Sequence, residues 1–330
     1  MTTPVQPFLQ ALRSRRWTPT KAVDLLARLV LLVPFAICIA TFSSSGHRLP
    51  DLAAQFTAPA LVATAGLTVV LALARLRMAA CSGFLACALL FVAVGPQWFP
   101  NGPEAANETP ALRLYSANLW AGNTDTDAIT ASIRAADADV VLLIELGDAP
   151  AARLDQILTG YPHRVATRRI NRATGPARSI IASRRPLSPI SDRADGLHAV
   201  AATLETAGGP VHLVGVHLTR PWPFQEQWGQ ISQTMALEAV VKDLRGPVVV
   251  AGDFNSVATA RIGRQVQKDI GLHPAPGFPG TWPAFLPSWL GVTIDQVWAT
   301  RDLAFVSRRV GAANGSDHYP VVTEISRAAN

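Results

Sequence analysis

Residues Gly246–Ser256 read GPVVVAGDFNS. The Gly246-Pro247 pair signals a turn. Three valines and an alanine follow, a run that suits a strand buried on both faces. That strand leads into Gly252-Asp253-Phe254-Asn255. Side chains alternate along a strand, so Asp253 and Asn255 are expected on one side and Phe254 in the core. A carboxylate and an amide at the open end of a buried strand can act together on one bound group. Turns also favour Asp and Asn, so this stretch alone leaves both readings open.

Working outward, the same pattern recurs. Ala111–Asn118 alternates like a strand and ends on Asn118; Asp139–Glu145 is a buried apolar run ending on Glu145; Val211–His217 ends on His217. Val292–Ala299 reads as a strand carrying Asp295, and Ser316-Asp317-His318 precedes a last strand at Pro320–Ile325. Helical periods fall at Thr124–Ala136, with Thr124 or Asp125 as N-cap, and at Asp148–Thr159, Gln225–Leu244 and Ala258–Asp269. Arg178–Ser183 and His198–Leu204 add further strands. Many strands with interspersed helices imply an α/β or α+β domain. Each polar residue has an ordinary structural reading by itself, as a helix start, a turn or a satisfied core group. Their repetition at strand ends predicts that they converge on one rim.

Residues 1–110 are different. Only 16% of the 330-residue chain is charged, which is low for a soluble protein of this length. Three apolar runs, Leu25–Ser43, Leu52–Ala74 and Met78–Val94, have 19, 23 and 17 residues, near the roughly 20 that cross a bilayer. A cleaved signal peptide accounts for the first run and leaves the other two unexplained. Arg13, Arg15, Arg16 and Lys21 precede the first run, and Arg75 and Arg77 separate the last two. The positive-inside rule then places the N-terminus in the cytoplasm and everything after Val94 outside. The expected organisation is a membrane anchor over 1–94, a Pro/Gly/Asn-rich linker over 95–110 and a catalytic domain over 111–330, periplasmic or extracellular on a multi-pass inner or plasma membrane protein. The formal net charge of +6 divides into +4 over residues 1–110 and +2 over the rest, so it is no strong argument for nucleic acid. The three cysteines, Cys38, Cys81 and Cys87, all lie in the apolar runs, which excludes a disulfide framework or a cysteine metal site in the later domain. The almost complete lack of ionisable residues within the runs argues against a transporter.

The pieces SANLW, VLLIE, GVHL, AGDFNS, TIDQVW and GSDHYPV, in this order from Leu112 to Ile325, resemble the endonuclease/exonuclease/phosphatase superfamily, the DNase I-like phosphoesterases. The resemblance implies a four-layer α/β sandwich of two packed mixed β-sheets with outer helices, here preceded by three transmembrane helices. It also implies site roles. Glu145 matches the metal-binding glutamate, with Asn118 beside it and Asp317 facing the metal. His318 matches the catalytic histidine and Asp295 the acid that orients it. Asp253 and Asn255 match the pair that handles nucleophile or leaving group, and His217 a histidine that contacts the scissile phosphate. Oxygen ligands without cysteine suit Mg²⁺ or Mn²⁺. Two positions depart from the family pattern: Trp120 stands where some nucleases carry an acid, and Gln296 where histidine or tyrosine is frequent.

The segment Arg164–Arg193 holds eight arginines against one acid, Asp192. Its functional reading is a phosphate-binding surface, with Arg178 and Arg184 as candidates; its ordinary reading is a solvated face. Trp282, Phe285 and Trp289 share the loop Thr281–Leu290 and either touch lipid or pack over a sheet edge. The expectation is a membrane-anchored, metal-dependent phosphoester hydrolase cleaving phosphodiesters, nuclease-like. Alternatives are a sphingomyelinase-like lipid phosphodiesterase or a phosphomonoesterase, and, from another class, an inactive phosphate-binding module. The partners implied are a phosphate-ester substrate, nucleic acid or phospholipid headgroup, and the bilayer; no protein partner is implied.

Overall fold

The structure is a computed structural model that describes residues 19–43, 45–106, 110–167, 178–191, 196–197, 199–221, 223 and 225–329. The arginines at 168, 169, 172 and 193, and the side chain of Arg178, lie outside the described residues.

The chain enters on helices rich in Ala, Leu and Val. α1 (Pro19–Val30) and α2 (Leu32–Phe42) run on from one another, and α3 (Arg48–Ala54), α4 (Thr57–Leu73) and α5 (Arg77–Trp98) follow. Two stretches, Thr20–Phe42 and Arg77–Trp98, are long and apolar enough to cross a membrane, and there are up to three if α3 and α4, bent 57° to each other, form one span. The middle run expected over 52–74 is therefore broken at Gln55–Phe56. The last run is longer than expected and continues past Val94 to Trp98, with Pro96 inside it. Small residues bring α4 and α5 together: a Cβ on Gly83 would stand 2.3 Å from the Thr68 hydroxyl.

The later domain is built on two six-stranded sheets. The first contains β1 (Leu112–Asn118), β2 (Val140–Leu146), β3 (His163–Ala166), β4 (Arg178–Ser183), β11 (Leu303–Val310) and β12 (Val321–Arg327), ordered β11-β12-β1-β2-β4-β3. The second contains β5 (Leu187–Pro189), β6 (Val200–Leu204), β7 (Val211–His217), β8 (Val248–Asp253), β9 (His273–Pro274) and β10 (Asp295–Ala299), ordered β5-β6-β7-β8-β10-β9. The central pairs β1–β2 and β7–β8 are parallel and their outer neighbours antiparallel. Leu114, Leu142 and Ile144 of one sheet meet Leu213, Val249 and Val297 of the other in a buried interlayer. On the outer faces, α6 (Thr126–Ala136) covers β1 and β2 through Ile129 and Ile133, and α9 (Gln227–Asp243) covers β7 and β8 through Ile231 and Leu237. Strands buried on both faces need such unbroken apolar runs, and the four layers follow.

Several local expectations shift. Asp125 caps α6, its carboxylate accepting from the Ala128 N–H at 2.9 Å. The helix expected over Asp148–Thr159 is two short ones, α7 (Asp148–Ala152) and α8 (Leu154–Ile157). The Ala258–Asp269 period becomes α10 (Arg261–Gln265) and a π turn, Val266–Ile270.

Candidate active site

The parallel pairs place the ends of β1, β2, β7 and β8 on one rim: Asn118 is level with Ile144, and His217 with Asp253. β10 runs antiparallel to β8, so Asp295 begins its strand directly opposite Asp253. Gly252 permits this. It has φ +138°, and a Cβ there would stand 2.0 Å from the Val216 carbonyl oxygen of β7. Phe254 then turns inward, fully buried against Trp298 with ring centroids 5.9 Å apart.

Two rim residues have left-handed backbone without being glycine, Glu145 at φ +53° and Asn255 at φ +47°. The pairing of β2 with β4 also shifts register between Leu143 and Leu146. Bulges of this kind re-aim one side chain, here Glu145. Such backbone conformations cluster at functional sites.

The side chains form a connected set. Asn118 Nδ2 donates to Glu145 Oε1 at 3.1 Å and to Asp253 Oδ2 at 3.0 Å, while its Oδ1 accepts from the Trp120 N–H at 2.9 Å. Asp253 Oδ1 accepts from the Asn255 N–H at 2.8 Å, and Asn255 Nδ2 donates to the Leu218 carbonyl at 2.9 Å. His217 Nε2 lies 3.3 Å from Glu145 Oε1 and 3.8 Å from Asp253 Oδ2. The fold thus gives this histidine two acidic neighbours. His318 Nδ1 donates to Asp295 Oδ2 at 2.9 Å with both groups buried, and Asp317 Oδ1 lies 4.0 Å from His318 Nε2. The Ser316 hydroxyl donates to the Asn118 carbonyl at 2.8 Å and accepts from the His318 N–H at 3.1 Å. Asn118, Glu145, His217, Asp253, Asn255, Asp295, Asp317 and His318 thus share one rim.

Burial drives Asp253 up to about 6, helped by the neighbouring Asp295 charge and opposed by His318 and His217. For His318, burial pulls the imidazole down, but the Asp295 charge and hydrogen bond, with Asp253 and Asp317 behind them, prevail and raise it to about 10. Arg308 is depressed to about 10 by burial, within Coulomb reach of Asp295; its guanidinium donates to the Pro279 carbonyl. Sequence reading missed Arg308 because its strand, β11, was not recognised.

The donor set fits a divalent cation. Asp253, Asp295 and His318 offer atoms within 4.8 Å of one another, the group of this kind found among the described residues. Asn118 Nδ2 bridges two carboxylates, a place where positive charge is wanted. For Asn118 to ligate through oxygen, its amide must turn over. Glu145 and Asp317 add hard oxygen, and magnesium takes one or two carboxylates and leaves positions for water and phosphate.

Arg184 is not brought to this rim. Ser183 pairs with Val140 at the start of β2, so Arg184 follows at the end opposite Glu145. There its guanidinium pairs with Asp137 and stands 5.4 Å from the Tyr161 ring centroid. That arginine serves the scaffold. Gln296 is buried and donates to the Ser256 carbonyl, which holds the GDFNS turn from behind. Trp282 packs with Val257, Val292 and Ile294, whereas Phe285 and Trp289 remain 82% and 51% exposed.

The rim and sandwich define a phosphoesterase-type fold, and comparison with known proteins agrees. The Endonuclease/Exonuclease/phosphatase family model matches residues 115–318, and the chain belongs to that family. An endonuclease/exonuclease/phosphatase from Beutenbergia cavernae DSM 12333 is 23% identical with a TM-score of 0.53, covering 67% of this chain and 72% of that one. A second, from Bacteroides vulgatus, is 16% identical with a TM-score of 0.55, covering 66% and 98%. A variant of beta toxin from Staphylococcus aureus, solved with bound magnesium ions, is 18% identical with a TM-score of 0.50, covering 66% and 100%. No curated protein matches the chain.

Proposed function

We propose that the protein is a membrane-anchored, divalent-metal-dependent phosphodiesterase whose catalytic domain works outside the cytoplasm. The observation that carries this reading is the buried Asp295–His318 pair facing Asp253 and the Asn118–Glu145 group across one rim. The bound metal would supply charge neutralisation at the phosphate and a more acidic water, with Glu145, Asn118 and Asp317 as its holders beside the Asp253–Asp295–His318 group, of which Asp295 and His318 are engaged with each other. A water oxygen attacks phosphorus and the ester P–O bond breaks, leaving an alcohol and a phosphomonoester. Asp253, titrating near neutrality, takes the proton from the attacking water. Asp295 fixes the Nδ1–H of His318, so Nε2 is aimed at the reacting phosphate. An imidazolium there stabilises the phosphoryl oxygens and protonates the leaving oxygen. Asn255 holds the Asp253 carboxylate in place, and His217 sits beside Glu145 and Asp253 to meet the phosphate.

The test is turnover by the full-length protein in detergent, with Mg²⁺ or Mn²⁺, of bis-p-nitrophenyl phosphate, p-nitrophenyl phosphate, plasmid DNA and sphingomyelin. Metal-dependent cleavage of a diester that is lost in His318→Ala and in Glu145→Ala is expected. Binding of phosphate without turnover of any substrate points instead to an inactive phosphate-binding module.

A further inference from the structure

The apolar helices do not hang free of the catalytic domain. Their elbow, the α3–α4 break, is fastened to the segment directly after the GDFN turn. Asp51 is buried and accepts from the Arg261 N–H at 2.6 Å and from Gln227 Nε2 at 2.7 Å. Gln55 is buried and its Oε1 accepts from the Val257 N–H at 2.7 Å. These bonds bring Leu52 and Phe56 to the rim. A cavity of about 340 Å³ opens there, with Asn255, Asp317 and His318 on one side and Leu52, Phe56, Trp282 and Ile294 on the others. Arg220 is the one basic lining residue besides His318 among those described. Carbon dominates this wall, whereas nucleic acid wants a cationic groove along its backbone and stacking aromatics.

From this geometry we infer, building on the phosphodiesterase reading above, that the elbow completes the active site. It supplies the apolar wall that seats the hydrocarbon-bearing arm of an amphiphilic phosphodiester, a lipid reaching the site from the bilayer. The cavity has the size of a small-ligand site. Phe56, which lines it, immediately precedes α4 and is 42% exposed. α4 in turn packs against the Ser288–Leu290 turn that carries exposed Trp289. The path from hydrocarbon to the reacting groups is therefore lined by apolar residues, and Arg220 and His318 meet the phosphate at its end.

The experiment uses the full chain in nanodiscs with three probes: long-chain phosphatidylcholine or sphingomyelin, the water-soluble bis-p-nitrophenyl phosphate, and plasmid DNA. Replacing Leu52 and Phe56 together by serine should lower the ratio of lipid to bis-p-nitrophenyl phosphate kcat/KM by about tenfold or more, the scale of one large apolar side chain's burial. An unchanged ratio overturns the inference. So does cleavage of DNA or the soluble diester with the lipids untouched, which leaves the phosphodiesterase reading standing. Loss of all turnover strikes that reading instead, and the inference is then judged without catalysis. A diazirine-bearing phosphatidylcholine should label the peptide containing the buried Val292 and Ile294 in the wild type and in His318→Ala. Label confined to the helices overturns it.

Discussion

Asp295 and His318 meet through a 2.9 Å hydrogen bond inside a site where both are buried, so each depends on the other for charge balance. Asp295→Asn keeps the shape and removes the charge that orients the imidazole. Proton-transfer groups contribute about 10²–10⁴-fold, and kcat on bis-p-nitrophenyl phosphate should fall by about two orders of magnitude or more on that scale, with KM little changed; a loss under about tenfold would detach Asp295 from the chemistry. Stability carries its own signature. His318 stands at about 10 in the fold against about 6.5 unfolded. A raised histidine contributes stability that is complete below the unfolded value and is lost as pH rises through the folded one. Asp253, raised to about 6, acts over a lower window: stability falls as pH climbs from about 4 toward 6. In EDTA, the melting temperature followed by tryptophan fluorescence should therefore decline between pH 7 and 10, and His318→Gln should flatten that slope. An equally steep decline in the variant would assign it to other groups.

The elbow between α3 and α4 is the element that sequence reading did not anticipate. Gln55 is a polar residue near the start of the apolar run Leu52–Ala74, but its partner, Val257, lies 202 residues away. No periodicity carries such a contact. Gln55→Ala leaves the buried Val257 N–H without its acceptor, which costs about 1–3 kcal/mol. The melting temperature should fall and trypsin should cut faster at Arg48, beside the elbow; an unchanged melt and cleavage rate would mean that the elbow is held elsewhere. The strands β1, β2, β7 and β8 were legible because burial on both faces demands unbroken apolar runs, and their polar last residues stand out against such runs. β11 was not legible. Its outer half, Ser307-Arg308-Arg309, reads as surface because Ser307 and Arg309 of this edge strand do meet water, while Arg308 between them turns inward. Glu145 was legible as a strand end, while the left-handed bulge that aims it has no local signature: neither a glycine nor an asparagine marks the position. Arg184 looks like a free cation in the sequence, and only the β2–β4 register places Asp137 beside it.

At the scale of the molecule, the contacts between the helices and the sandwich domain gather at one end. Asp51 and Gln55 bind Arg261 and Val257; Gln97 accepts from the Gly277 N–H at 2.7 Å, and Trp98 meets Phe278 at 4.9 Å between ring centroids. The Arg75–Arg77 turn joins the other ends of α4 and α5. Whether the domain works inside or outside the cell then depends on parity. If α3 and α4 only dip into the bilayer, the chain crosses twice and the domain returns to the side of the N-terminus. If α4 crosses, three passages put it on the opposite side. α4 packs antiparallel to α5, with Thr68 against Gly83 and Cys87, and its 17 residues span about 26 Å at 1.5 Å per residue. That nearly matches a hydrocarbon core of about 30 Å, and on this length we propose that α4 follows α5 across. Arginines flanking the turn favour the cytoplasmic side. An alkaline phosphatase fused after Asn330 should be active and a fluorescent protein at the same place dark, with both results reversed for fusions after Arg77. A fluorescent C-terminal fusion would reduce the crossings to two, turn α3–α4 into a re-entrant hairpin, and move the substrate of this site to the cytoplasmic leaflet.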